Sequence, residues 1–180
     1  MSDWLARVDQ PVFFDCEVSA PDGCIIEVGW SYCEGTQMVT ESHLVVPDPE
    51  WAIEQSWDTE AEQVHGITLE QLRKEGAPAF NVARRMNEVL WHRDLFSDSP
   101  RDRTKLEQLF EVADIEMDFS IREMPARTLI EKRAVESRLT KTQFDGMQEK
   151  ICTQFPCANR AGPDSRQWAA LWEAVAALSA

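Results

Sequence analysis

The chain has 180 residues, 43% of them hydrophobic, and a formal net charge of −14. That length suits one domain spanning 1–180 with a sizeable core, and the charge excludes a protein that grips a long duplex through a broad basic surface. It leaves room for an enzyme that holds a few nucleotides at a strand end, where divalent cations neutralise phosphate. No stretch approaches the roughly 20 apolar residues of a membrane span. The opening MSDWLARVDQ lacks a basic run followed by an apolar one, so no secretory signal is expected. Cys16, Cys24, Cys33, Cys152 and Cys157 show no CxxC spacing and read as reduced thiols of a cytoplasmic protein.

Taken in chain order, 11–18 (PVFFDCEV), 24–33 (CIIEVGWSYC) and 38–46 (MVTESHLVV) read as three strands. The short breaks APDG and EGTQ imply an antiparallel meander. A Trp-rich connection, PDPEWAIEQSWD, leads to helices at 59–64, 68–74 and 78–90, the second capped by Thr68. Then come a strand at 93–98, a helix at 101–112 and a strand at 115–119. Helices follow at 126–137, 140–152 and 164–178, with a loop at 153–163. A meander followed by alternating helices and strands predicts an α/β fold with a mixed sheet and helices on both faces.

Side chains of a strand alternate between faces. In the first strand Phe13, Asp15 and Glu17 therefore share one face and Val12, Phe14, Cys16 and Val18 the other. Two neighbouring carboxylates in an apolar strand repel each other and are costly to bury. A bound Mg²⁺ or Mn²⁺, which favours carboxylate oxygens, resolves both problems. An edge strand with a solvated polar face is the ordinary explanation of an isolated Asp-x-Glu, so the pattern needs support from elsewhere in the chain.

Several segments, in order, supply it: FFDCEVSA at 13–20, IIEVGW at 25–30, EQVHGITLEQL at 62–72, FSDSPRDRTKLEQLF at 96–110 and NRAGPDSRQWAALW at 159–172. Together they resemble the DEDD 3′→5′ exonucleases, histidine branch. The resemblance implies a ribonuclease H-like fold, a five-stranded mixed sheet flanked by helices. It also implies two Mg²⁺ or Mn²⁺ ions held by Asp15, Glu17, Asp102 and Asp164. Asp15 would bridge the ions, Glu17 and Asp164 would hold the one beside the nucleophile, and Asp102 would serve the other. Asp98 is the alternative to Asp102, because Arg101 stands where the family usually has an aromatic residue. Val18, Ser19, Ala20 and His65 match positions that shape the pocket of the terminal nucleotide. The implied partner is a single-stranded DNA or RNA 3′ end, with nucleoside 5′-monophosphates as products and no membrane. A homodimer is left open.

The general-base position of the family's third motif holds Asn159 instead of histidine. An amide is no base near pH 7, and loss of a general base typically costs about 10²–10⁴ in rate. A natural chain with weakened catalysis and a deliberately inactivated variant both fit this change. Tyr32, the one tyrosine, lies in the second strand and offers no tyrosine-branch substitute. His43, His65 and His92 are distant in sequence, with His92 the nearest to the second motif and read as a surface residue. Trp168 and Trp172 are expected to pack the last helix on the sheet, Arg84 and Arg85 to line a solvated helix face, and Trp51 and Trp57 to be candidates for base stacking. Three functions compete: an exonuclease, a degenerate domain that binds strand ends or nucleotides, and a partner-binding module that keeps only the fold. The retained acids argue against the last.

Overall fold

The computed structural model describes residues 10–51, 53 and 57–178. Its strands are β1 (Val12–Val18), β2 (Ile25–Glu34), β3 (Gln37–Leu44), β4 (Asp94–Phe96) and β5 (Ser120–Ile121). They form one sheet in the order β3-β2-β1-β4-β5. β1 pairs antiparallel with β2, and β2 antiparallel with β3. β4 runs parallel to β1, and β5 parallel to β4. Among the described residues there are seven helices: α1 (Thr59–His65), α2 (Leu69–Glu75), α3 (Ala79–Leu90), α4 (Pro100–Ala113), α5 (Ala126–Glu136), α6 (Lys141–Gln154) and α7 (Ala161–Ala176). This is the expected α/β, ribonuclease H-like arrangement, a five-stranded mixed sheet flanked by helices.

The two faces of β1 sort the core. Val12, Phe14 and Cys16 join Val28 and Trp30 of β2 in a cluster with Met86 and Leu90 of α3 and Leu106 and Leu109 of α4. On the opposite face Phe13 packs with Leu129 and Ile130 of α5 and Trp172 and Val175 of α7. Trp168 packs against that cluster, so both tryptophans of α7 serve the sheet, as expected. A third, smaller cluster of Ile26, Ile53, Ile67 and Leu72 seats α1 and α2. Arg84 and Arg85 lie on an outer face of α3, paired with Glu88 and Glu41.

Helix starts follow local chemistry. Asp58 caps α1, Thr68 caps α2 and Ser99 caps α4, each side chain accepting a backbone N–H of the first turn. Thr140 and Gln143 form a reciprocal capping box on α6.

Two expectations change. The strand expected at 115–119 is not a ladder strand. Phe119 is buried edge-on against Phe110 at 5.4 Å, and the ladder begins only at Ser120. The alternation of Ile115, Met117 and Phe119 reports packing on the core beneath α3 and α4, not sheet pairing. The last helix begins at Ala161 rather than 164. Pro163 sits in its first turn, where a missing N–H costs nothing, so Gly162 and Pro163 did not mark loop.

Candidate metal centre

The β1–β2 register places Gly29 opposite Asp15 and Glu27 opposite Glu17. All four positions face α7. A Cβ at Gly29 would lie 2.3 Å from the Gly162 nitrogen and 2.4 Å from the Ala161 carbonyl carbon, so only glycine lets α7 begin here. Glu27 is 1% exposed. Its carboxylate accepts Arg160 Nε at 2.9 Å, Arg160 Nη2 at 2.7 Å and the Ala161 amide at 3.0 Å. Arg160 precedes α7 and no side chain of its own neighbourhood caps the helix. Glu27 instead supplies negative charge at that N-terminus, where the helix dipole favours it.

This seating delivers Asp164 to β1. One oxygen each of Asp15, Glu17 and Asp164 lie within 4.8 Å of one another, and all three residues are half-buried. Asp164 is steadied by the Ala158 amide at 2.8 Å and by the Cys157 thiol, which donates to it at 3.3 Å. Asp102 approaches Asp15 from the other side. It lies in the first turn of α4, 6% exposed, accepting the Ser97 hydroxyl and close enough to Asp15 for the two carboxyls to interact. Asp102 is not one of the close trio but flanks it through Asp15. Asp98 is exposed, accepts the Arg127 amide at 3.3 Å and pairs with its guanidinium at 3.9 Å. Of the two alternatives, the fold brings Asp102 to the cluster.

The electrostatics are those of crowded acids. Burial, then the carboxylates of Asp102, Glu17, Asp164 and Glu27, push Asp15 far above the usual carboxylate range. Burial, then Glu27, Asp164 and Asp102, push Glu17 up to about 7, with Arg160 pulling the other way. Burial raises Asp102 also, opposed by the Ser97 hydroxyl. Without a cation this cluster holds protons that free carboxyls would lose. An all-oxygen donor set with excess negative charge suits a hard divalent cation.

The base position is open. Asn159 is exposed, with φ of +49°, a left-handed conformation in which asparagine and histidine are both enriched. His92 is exposed beside Trp91, between α3 and β4, and His43 stacks on Trp30 on the opposite face of the sheet from Asp15. Tyr32 packs under the Arg93 guanidinium at 4.0 Å. None of these three replaces a base at the cluster. His65, 5% exposed, ends α1 where Gly66 at φ +70° turns the chain. Its Nδ1 accepts the Ile67 amide at 3.0 Å, and its Nε2 is buried near the Val18 backbone. Burial, then Arg160, lower its pKa, which keeps the ring neutral.

Val18 and Ala20 are half-buried, whereas Ser19 is fully buried. The Ser19 amide donates to the Cys24 carbonyl at 2.9 Å, and its hydroxyl accepts the Cys24 amide at 3.1 Å. That amide is therefore committed to the hairpin turn and is not available to a strand end. Trp57 stands edge-on to His65 at 6.4 Å, its indole N–H donating to Glu62 at 2.6 Å. Glu27, Arg160 and Cys157 were not singled out in the sequence. The available signal for Glu27 was its shared face with Asp15 and Glu17 across the hairpin.

No family model and no curated protein matches the chain. Solved structures do. Exonuclease I gives a TM-score of 0.62 at 13% identity, over 90% of this chain and 39% of that one. The zinc-bound complex of E. coli Exonuclease I with single-stranded DNA gives 0.61 at 13% identity, over 92% and 39%. Exonuclease X in complex with 5′-overhanging duplex DNA gives 0.58 at 16% identity, over 94% and 92%. This chain thus spans 39% of the length of Exonuclease I and matches Exonuclease X nearly end to end. These neighbours are exonucleases, and this chain shares their fold, the ribonuclease H-like arrangement described above.

Proposed function

We propose that this chain is a cytoplasmic, metal-dependent 3′→5′ exonuclease of one domain, its catalysis weakened by Asn159. The observation that carries the reading is the convergence of Asp15, Glu17 and Asp164, with Asp102 against Asp15, in a fold shared with exonucleases. Asp15, Glu17 and Asp164 would hold one Mg²⁺ or Mn²⁺, and Asp15 with Asp102 a second. When bound, such a pair lowers the pKa of water and stabilises the leaving 3′-oxygen. Glu27 and Arg160 keep Asp164 at β1 while metal and substrate exchange. Val18, Ala20, His65 and Trp57 form the wall for the terminal nucleotide. Asn159 can orient a water by hydrogen bonding but cannot take its proton, so deprotonation falls to solvent.

The exposed Asn159 favours one alternative, a domain that binds strand ends without cutting them. The neighbours' complexes with DNA support a nucleic-acid partner for either reading. The test is an assay of labelled single-stranded DNA and RNA with Mg²⁺, Mn²⁺ or EDTA. Metal-dependent loss of nucleotides from the 3′ end supports the enzyme; metal-dependent binding without cleavage supports the alternative; neither binding nor cleavage refutes both.

A further inference from the structure

An open cavity of about 390 Å³ lies between the β1–β2 turn at Asp22–Cys24, Trp51, and α4 at Lys105, Gln108 and Glu111. Its volume suits one nucleotide unit. Lys105 is 8% exposed, its stem packed against the fold and its side chain lining the open cavity. Its ammonium donates to the neutral Gln108 amide oxygen at 3.3 Å. An ammonium has three donors, and one of them is taken by Gln108, which leaves donors for an anion in the cavity. Lys105 follows Asp102 by one turn of α4, roughly 5 Å along the axis.

The three kinds of lining match a nucleotide's phosphate, the face of its base and the edge of its base. Lys105 offers charge to a phosphate. The half-buried Trp51 ring offers a stacking surface. Asp22 and Glu111 offer carboxylate acceptors to the amino and imino donors of a base edge. Guanine, with adjacent N–H donors on one edge, satisfies a carboxylate best, and thymine, with one, satisfies it least. A bare phosphate is disfavoured, because the same two acids would repel it. We infer that this cavity is a nucleotide-binding subsite beside the metal centre, formed by Lys105, Trp51, Asp22 and Glu111. It rests on the nucleic-acid reading above and extends it to a nucleotide away from the scissile bond.

The test reads binding, not cleavage. Fluorescence anisotropy of 5′-labelled dinucleotides and of twelve-residue dG-rich and dT strands is measured in Ca²⁺, with folding checked by circular dichroism. Lys105→Gln and Trp51→Ala should each weaken binding of the dG-rich twelve-residue strand about 10-fold, within the range for loss of one base stack. Dinucleotide binding should stay unchanged. Lys105→Gln alone should lower the salt slope by about 0.7, the value for one phosphate contact on a single strand. If Lys105→Gln fails to fold, Trp51→Ala carries the test. Competition by free dGMP that Lys105→Gln abolishes would assign the same site to a free nucleotide. Both variants binding dG-rich strand and dGMP as the unmodified chain does would overturn the inference. A chain that binds strands through this cavity yet never cuts them would refute the exonuclease reading and leave the subsite standing.

Discussion

Helices α4 and α7 each aim one aspartate at Asp15, yet they are held in opposite ways. α4 is fixed locally: Ser99 caps it, Pro100 opens it, and the Ser97 hydroxyl, five residues before, ties down Asp102. α7 is fixed from a distance: Glu27, 133 residues before Arg160, holds its entry, and Gly29 admits its backbone. Asp102 is consequently buried, while Asp164 faces a loop that carries Cys157 and Asn159. A change in the exposed loop, such as Asn159, leaves the buried Asp102 in place.

The largest expected effect removes what both helices share. Asp15→Ala should abolish nuclease activity while the fold survives, because the carboxylate between Asp102 and the outer pair is lost. Its melting midpoint without metal should hold or rise, since carboxylate repulsion is relieved. Unchanged cleavage by this variant would place the activity elsewhere or in a contaminant.

Asn159→His sharpens the comparison from the α7 side. Activity near neutral pH should rise by roughly 10²–10⁴. The pH–rate profile should gain an acidic limb near the imidazole pKa of about 6.5. Short-strand binding should change little. A variant that binds metal and oligonucleotide normally yet cuts no faster would show that residue 159 is not the base position.

Arg160→Gln breaks the remote hold. It leaves Glu27 buried without its partner and should cost about 2–3 kcal/mol, less than a fully buried pair because Arg160 is partly solvated. Metal affinity should fall with it, and adding Glu27→Gln should recover part of the stability. The local hold is smaller: Ser97→Ala should cost about 1 kcal/mol. Denaturant titrations rank the two, and an equal or reversed order would contradict the distinction between the helices.

The pH dependence of stability without metal is the subtlest effect. Glu17 is held at about 7 against an ordinary 4.5, so the folded chain keeps a proton that the unfolded chain loses. This contribution is complete below pH 4.5 and lost as pH rises through 7, with Asp15 and Asp102 acting in the same direction. In EDTA the melting midpoint should therefore fall across that interval. Mn²⁺ should raise it, most at the upper end, where the ligands are ionised. A midpoint that rises with pH in EDTA would contradict the assigned burial of these acids.

What was legible in the sequence follows the same division. Period-two alternation placed Asp15 and Glu17 on one face, and Thr68 marked its helix, because both signals act within a few residues. The order of motifs located Asp102 and Asp164. The bond from Glu27 to Arg160 crosses nearly the whole chain, and nothing near either residue announces it. The start of α7 was misplaced because Gly162 and Pro163 look like a loop unless the close packing on Gly29 is known. Ser19 matches a pocket position by sequence, and only the structure shows its amide and hydroxyl bonded across the turn to Cys24.

The central claim is that Asp15, Glu17, Asp102 and Asp164 make a metal-dependent nuclease centre. It is tested most directly by release of label from 3′-labelled single strands, comparing the unmodified chain with Asp15→Ala in Mn²⁺ and in EDTA. The expected result is slow release of labelled mononucleotide by the unmodified chain in Mn²⁺ alone. Release that persists in EDTA, or that is equal in Asp15→Ala, would contradict it.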